Sequence, residues 1–452
     1  GEDTAASMLK TRPDLFLTAE TGGKDATIVT NMADREQAVK NVCNSAFGNS
    51  GQKCSATSLL VLEEEVYHDE DFKKALIDTA SSMSVGSVWD FKNRIGTLAN
   101  KVSGNLKKAM ETLEKNESWL LKPSYAQNNE YMLKPAIKWG VEEGNFIHKN
   151  ELFGPILAVV KANDLAHAVK IVNDTGYGLT SGIESLDERE VNYWKENLKA
   201  GNLYINRGTT GAVVLRQPFG GMSKSAIGAG RKVGIFNYIT QFVDFKEKSA
   251  PKVSKKYNND LTKFIEKCKN SHKNEDFNKL EIALQSYLEN YENEFSKAKD
   301  YANVRGEDNH FRYLPLKNVV IRVSSDDTLF EVVSRILAAK VSGVHFKVSL
   351  NNNALVKSFL EVSKELFSSR DSLVEQSDEE FVKFIKNYDR VIYSDISKVP
   401  ELVFEEARKS LTFIIRAKPM MEGRLELLNY FIEQSISHSF HRYGNIGARG
   451  IK

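Results

Sequence analysis

The sequence predicts an α/β fold with a largely parallel sheet, on three observations. Short apolar runs alternate with amphipathic helical stretches from residue 34 to residue 206, glycine clusters punctuate the junctions, and a βαβα rhythm returns after Arg305. Such alternation is how parallel strands are connected, because each crossover carries a helix.

Gly1-Glu2-Asp3-Thr4-Ala5 reads as a helix entry capped by Asp3 or Thr4. Few natural chains begin at a helix start, so an N-terminally truncated fragment is expected. Residues 15–19 form a short apolar strand leading into Glu20. Asp34 caps a helix whose apolar positions Ala38, Val39, Val42, Cys43, Ala46 and Phe47 recur at three and four, which makes Cys43 a packed core thiol. Leu59 to Leu62 is the next strand. Residues 70–83 and 101–114 are helical, 155–161 a strand, 164–173 a helix and 202–206 a strand. Gly176-Tyr177-Gly178, Gly208 to Gly211 and Gly220-Gly221 mark loops.

After Phe245 the character changes. Residues 247–278 are rich in Lys, Asn and Asp and read as a linker with at most a short helix. From Phe277, Leu280, Leu284, Leu288, Tyr291 and Phe295 define an amphipathic helix docked on a neighbouring core; the pattern is too short for a coiled coil. The second unit follows, with strands at Asn318 to Val323, Val344 to Leu350, Asp389 to Tyr393 and Leu411 to Arg416, and helices at Leu329 to Lys340 and Ala354 to Leu366. The turn after its first strand is Ser324-Ser325-Asp326-Asp327, without the glycines that let a backbone approach a pyrophosphate, and two carboxylates would repel one. The unit has a Rossmann-like rhythm without the means to hold a dinucleotide.

The 452 residues carry 62 basic and 60 acidic side chains, for a net charge of +2, which argues against a nucleic-acid footprint or a polybasic membrane surface. Cys43, Cys54 and Cys268 are too few for a disulfide framework. There is no long apolar run and no signal-peptide pattern, so a soluble, cytoplasmic protein is expected.

Candidate chemistry lies in four short runs. Covalent catalysis needs a nucleophile that adds to the substrate and a base that later activates water. Cys54, in Gly51-Gln52-Lys53-Cys54-Ser55-Ala56, sits on a polar, glycine-started turn where a thiolate is accessible, with Lys53 as a nearby cation. Glu20, thirty-four positions earlier, opens Glu20-Thr21-Gly22-Gly23-Lys24, whose paired glycines let the chain pass tightly beside another element. Taken singly, Glu20 is as readily a surface carboxylate and Cys54 a structural thiol. Glu151-Leu152-Phe153-Gly154-Pro155 supplies a carboxylate able to take both hydroxyls of a ribose and an aromatic ring able to pack on a nicotinamide or substrate. Asn206 and then Gln217-Pro218-Phe219-Gly220-Gly221 complete the set, with Phe219 either a pocket wall or a core aromatic.

Together these runs resemble the signature motifs of the aldehyde dehydrogenase superfamily in order and spacing. With Gly176 to Gly182, Ser185 to Glu190, Ala200 to Arg207, Thr209-Thr210-Gly211-Ala212 and Arg216 to Gly221, the match over residues 1–245 resembles L-glutamate γ-semialdehyde dehydrogenases (Δ1-pyrroline-5-carboxylate dehydrogenases), above all those fused to proline dehydrogenase in bacterial proline utilization A. The resemblance implies Cys54 as nucleophile, Glu20 as general base, and Glu151 with Phe153 at the nicotinamide end of NAD. It also implies Ser55 and the Gly211-Ala212 backbone at the substrate α-carboxylate and Phe219 along the aliphatic path. Asp25 stands where Asn is expected, a departure expected to leave the chemistry untouched. The family's first strands, adenosine-binding lysine and oxyanion Asn are expected upstream of Gly1.

The second unit resembles the C-terminal domain of longer proline utilization A proteins, a degenerate aldehyde dehydrogenase-like fold. Its tail, Ser437-His438-Ser439-Phe440-His441-Arg442-Tyr443-Gly444-Asn445-Ile446-Gly447, resembles that family's terminal motif and reads as a docking strand, with Phe440, Tyr443 and Ile446 as its apolar contacts. His438 and His441 lack a supporting cluster, so no metal is expected. The expected organisation is a remnant of the NAD-binding domain at 1–22, a catalytic domain at 23–248, a helical linker at 249–304 and an aldehyde dehydrogenase-like domain at 305–452. Implied partners are a small-molecule substrate, an upstream proline dehydrogenase domain holding its own FAD, and further copies of the parent in a homo-oligomer. Two readings follow: NAD-dependent oxidation of L-glutamate γ-semialdehyde to L-glutamate, or an inert fragment acting as a packing, lid or oligomerisation module. A succinate-semialdehyde enzyme conflicts with the Thr209 to Ala212 loop.

Overall fold

The computed structural model describes residues 1–272 and 274–440. Tyr443, Ile446 and His441, expected in the terminal docking motif, lie outside the described residues.

Among the described residues, ten strands form one sheet in the order 299–300, 307–315, 431–439, 202–205, 180–184, 26–29, 59–63, 156–162, 136–141 and 118–121. The seven from 431–439 to 136–141 run parallel, and the strands at both ends are antiparallel. Strand Leu59–Glu63 is buried along its whole length, as expected of a sheet covered on both faces. Helix Arg35–Phe47 covers one face, capped by Asp34, whose side chain accepts from the Gln37 N–H. Cys43 is buried within that helix, and burial pushes its thiol up to about 12.

A second, five-stranded parallel sheet has the order 372–375, 345–350, 318–323, 390–392 and 413–415. In its first turn Asp327 accepts from the Ser324 N–H at 2.7 Å, the Ser394 hydroxyl at 2.5 Å and Lys398 Nζ at 2.6 Å. The turn after strand 318–323 is thus fastened by the chain's own carboxylate.

The two units share a sheet. Strand Phe431–Ser439 leaves the second unit and pairs in parallel with Asn202–Ile205, placing Ser435 opposite Asn202 and His438 opposite Ile205. Strand Glu307–Pro315 pairs with it antiparallel along its full length.

Several local expectations change. Helix Glu2–Thr11 starts from Gly1 and has no side-chain cap, so neither Asp3 nor Thr4 caps it. The strand before Glu20 shrinks to Ala19–Glu20, paired with Ala226–Ile227. Phe16 instead meets the Phe413 ring edge-on at 5.5 Å, so the apolar run packs side chains on the second unit. The 101–114 helix is confined to Gly104–Glu111. The segment 247–278 carries a full helix, Asp260–Ser271, started by an Asn259–Thr262 capping box. Its Phe264, Ile265 and Cys268 join Phe277, Leu280 and Leu284 of helix Asp276–Asn290 in the apolar core of the second sheet. Strands 26–29, 118–121, 136–141 and 180–184 and helix Glu188–Asn197 add to the expected elements. No helix among the described residues is long and apolar enough to cross a membrane.

Candidate active site

The candidate residues gather where the parallel strands begin. Glu20 precedes strand 26–29, Cys54 precedes 59–63, and Glu151 and Phe153 precede 156–162. These strands are neighbours, so the segments before them emerge side by side.

Glycines set the close approaches. Helix Arg35–Phe47 gives way to Asn49, Ser50 and Gly51, all with φ near +60°, which turn the chain toward Cys54. A Cβ on Gly51 would lie 2.5 Å from Gly154 O, so only glycine lets the Cys54 turn lie on the Glu151–Pro155 segment. Gln52 Nε2 donates to Phe153 O at 3.2 Å, fastening the same contact. Gly22, at φ +117°, carries the Glu151 carboxylate where its own side chain would be, with a Cβ-to-Oε2 distance of 2.5 Å. The Gly23 N–H donates to Glu151 Oε1 at 3.2 Å, and a Cβ there would come within 2.9 Å of Cys54 O. One glycine pair thus brings the Glu20, Cys54 and Glu151 runs together.

Cys54 is exposed at the surface. Its thiol is raised above the ordinary 9.0, first by partial burial and then by Asp25, Glu20 and Glu151. The expected activation by a neighbouring cation is therefore not what surrounds it: the nearby charges are carboxylates, which oppose ionisation. The Glu20 carboxylate accepts from the Gly221 N–H, at 3.1 Å to Oε2. Local desolvation raises it above 4.5, opposed by that N–H and by Lys232. Desolvation likewise raises Glu151, with Gly23 and Lys24 opposing. The Phe153 ring is exposed and its backbone is held at φ +55°, a strained conformation for a bulky residue.

On the other side of Cys54 lies the loop through Gly211. Ser55 is buried; its carbonyl accepts from Thr209 Oγ1 at 2.8 Å, and the Thr209 N–H donates to Ser45 Oγ at 3.0 Å. Gly211 has φ +88°, with open space where a Cβ would point, and Ala212 is exposed. Phe219 is half-buried and exchanges backbone hydrogen bonds with Val233. Asn206 is set apart: its amide pairs with the Ser185 backbone at 3.0 and 2.8 Å, which makes it a loop lock. The second unit grips this loop from both ends. Arg207 Nη1 and Gln217 Nε2 donate to Ser437 Oγ at 2.7 and 3.1 Å, and Gln217 also donates to Asn309 Oδ1 at 2.9 Å.

Three buried ionisable residues complete the surroundings. Asp25 is no bystander: its Oδ1 accepts from the Thr180 N–H at 2.7 Å, and burial raises its carboxyl well above the usual range. Lys24 Nζ is buried without a hydrogen-bond partner among the described residues, and burial pushes it down to about 7. Lys232 is buried beside Gly220. Sequence alone marks Lys24 and Asp25 only by adjacency to the glycine pair, and Lys232 by the surrounding Gly230-Arg231-Lys232-Val233-Gly234 run.

Residues that would hold the nicotinamide end of a dinucleotide fit this geometry, since a carboxylate and an exposed ring, Glu151 and Phe153, flank the thiol turn. The aldehyde dehydrogenase family profile matches residues 5–247. 1-Pyrroline-5-carboxylate dehydrogenase of Bacillus subtilis (strain 168) is 38% identical over 234 residues, 51% of this chain and 44% of that protein. The protein of the same name from Geobacillus sp. (strain WCH70) is 36% identical over 224 residues, 49% of this chain and 42% of that protein. The solved structure of proline utilization A from Corynebacterium freiburgense is 32% identical with a TM-score of 0.81, covering 99% of this chain and 42% of that one. The chain thus spans less than half the length of these relatives. With more than half of its residues matching the family profile, the chain belongs to the aldehyde dehydrogenase family.

Proposed function

We propose that this chain carries the catalytic part of an NAD-dependent dehydrogenase that oxidises L-glutamate γ-semialdehyde to L-glutamate. The observation that carries the reading is the convergence of Cys54 and Glu151 on the Gly22–Gly23 pair, with the Glu20 carboxylate near enough to act on the Cys54 thiol. The relatives named 1-pyrroline-5-carboxylate dehydrogenase and the proline utilization A structure support the substrate class and a place in proline catabolism, as well as a longer parent with a proline dehydrogenase domain.

In this reading the Cys54 Sγ adds to the aldehyde carbon, giving a thiohemiacetal. NAD, when bound, supplies the hydride acceptor that leaves a thioester on Cys54. Glu151 would hold the ribose through its carboxylate, and Phe153 would pack at the nicotinamide end. Glu20 then takes a proton from water, whose oxygen attacks the thioester, releasing glutamate and the Cys54 thiol. A raised carboxyl suits that task, because a base near the working pH both accepts and returns a proton. The α-carboxylate is held by Ser55 and by the Gly211–Ala212 N–H groups, while Phe219 lines the aliphatic path. A packing role for the second unit stands beside this reading, on the observation that strand 431–439 enters the first sheet.

The test is NADH formation from L-glutamate γ-semialdehyde by the longer parent. Cys54→Ala should abolish turnover with NAD binding retained; turnover surviving in that variant would sink the reading.

A further inference from the structure

The peptide group joining Gly220 to Gly221 lies between two ionisable side chains. Its carbonyl, that of Gly220, accepts a hydrogen bond from Lys232 Nζ. Its N–H, that of Gly221, donates to Glu20 Oε2 at 3.1 Å. Lys232 Nζ is clamped a second time by Asn202 Oδ1 at 2.9 Å, and the Gly220 N–H reaches the same oxygen at 3.2 Å. The lysine is 1% exposed, so its position depends on these partners and not on solvent. Its backbone N–H donates to Glu433 Oε2 at 2.8 Å, and Glu433 lies on the strand contributed by the second unit. Glu433 is itself buried, accepting from Asn237 Nδ2 at 2.9 Å and lying 3.7 Å from Arg231 Nη1.

We propose that Lys232 is a positioning residue for Glu20, acting through the Gly220–Gly221 peptide, and that Glu433 of the second unit holds Lys232 in place. The proposal rests on Glu20 being the general base. A cation on the carbonyl oxygen polarises the amide and strengthens the N–H that fixes the carboxylate. Burial pushes Lys232 well below the usual lysine range, while Glu20 and Glu433 pull it back up. Local desolvation raises Glu20, although the residue stays open to solvent, and the Gly221 N–H and Lys232 oppose that rise. Besides each other, the groups facing this pair are Glu433, Arg231 behind it, and the Cys54 thiol, on which Glu20 acts. Removing the ammonium leaves Glu20 more protonated at neutral pH, so water activation weakens while thiol addition does not.

The test is hydrolysis of p-nitrophenyl acetate by the full chain, which needs no NAD. The Cys54 thiolate displaces p-nitrophenolate, forming a C–S bond as the ester C–O bond breaks. Water then cleaves the acetyl thioester, passing its proton to Glu20 and releasing acetate. The p-nitrophenolate burst reports acylation, and the steady rate reports deacylation. Lys232→Met should keep the burst and move the acid limb of the steady-rate pH profile up by about one unit, which slows the steady rate about tenfold on that limb. Lys232→Arg, which keeps a cation, should restore most of the rate. Glu433→Gln, which keeps an acceptor for the Lys232 N–H, should move the same limb in the same direction by less. A full burst with an unmoved acid limb in Lys232→Met overturns the proposal. If that variant fails to fold, the limb in Glu433→Gln decides: shifted supports, unmoved overturns. Deacylation unchanged in Glu20→Gln, or no burst in the wild-type chain, defeats the underlying function instead.

Discussion

Arg216 Nη2 donates to Glu307 Oε2 at 2.6 Å, joining the loop beside the candidate substrate site to strand Glu307–Pro315. Arg207 approaches the other oxygen of the same carboxylate at 3.6 Å. Glu307 thus bridges both ends of the segment that contains Thr209 to Ala212. Burial acts to raise its carboxyl, but Arg216, Asn309 and Arg207 overcome that and hold it below 4.5.

Glu307→Gln should therefore cost about 1–2 kcal/mol of stability at pH 7, less than a fully buried pair because solvent reaches both partners. A group whose folded pKa is depressed contributes stability above its unfolded pKa and loses it as pH falls through the folded value. The stability gap between wild type and variant should be full above about pH 5 and close below the ordinary glutamate range near about 4.3. Denaturant titrations across that range check it; a gap independent of pH would contradict it.

Two glycines separate steric need from conformational need. Gly51→Ala meets Gly154 O at 2.5 Å and has φ +63°, whereas Gly211→Ala has φ +88° with open space around it. Gly211→Ala should cost only about 1 kcal/mol for the backbone conformation. Gly51→Ala should cost at least about 2 kcal/mol, through strain plus displacement of the Glu151–Pro155 segment. Thermal unfolding compares the two directly. Equal melting points would show that the close approach is relaxed in solution.

Thiol reactivity should sort the cysteines. Cys54 is exposed, while Cys43 and Cys268 are buried. Iodoacetamide should alkylate Cys54 in the folded chain and reach the others only on unfolding. Because carboxylates and partial burial raise the Cys54 thiol above 9.0, its rate should still be climbing at pH 9. A plateau below pH 8, read by mass spectrometry of quenched time points, would place a cation beside the thiol after all.

Under the proposed function the two carboxylates should fail differently. Glu20→Gln should preserve a first-turnover burst of NADH while slowing steady turnover about a hundredfold or more, since a general base acts after hydride transfer. Glu151→Gln should instead weaken the burst itself, through misplaced nicotinamide. Stopped-flow absorbance resolves both phases. A Glu20→Gln variant that loses burst and turnover together would place Glu20 before hydride transfer.

What was legible in the sequence was local. The Asp34 cap, the glycine pair before Lys24 and the turn from Gly51 to Cys54 are each written in a few adjacent residues, because backbone conformation and capping are short-range properties. Helix Asp260–Ser271 was hidden because Leu261, Phe264, Ile265 and Cys268 keep helical spacing among lysines that dominate the composition. The 15–19 run forms no strand before Ala19, because an apolar run does not say whether it will find a strand partner or a surface to pack on.

The sequence by itself determined the order of Glu20, Cys54 and Glu151 and the glycines between them, and with these the kind of chemistry the chain can host. Only the tertiary structure decided that Cys54 is ringed by carboxylates, that Lys24, Asp25 and Lys232 are buried, and that strand 431–439 lies beside 202–205. Strand pairing and burial depend on residues far apart in the chain. The hydrogen bonds and desolvation that set the Lys232–Glu20 pair exist only once those distant segments have packed.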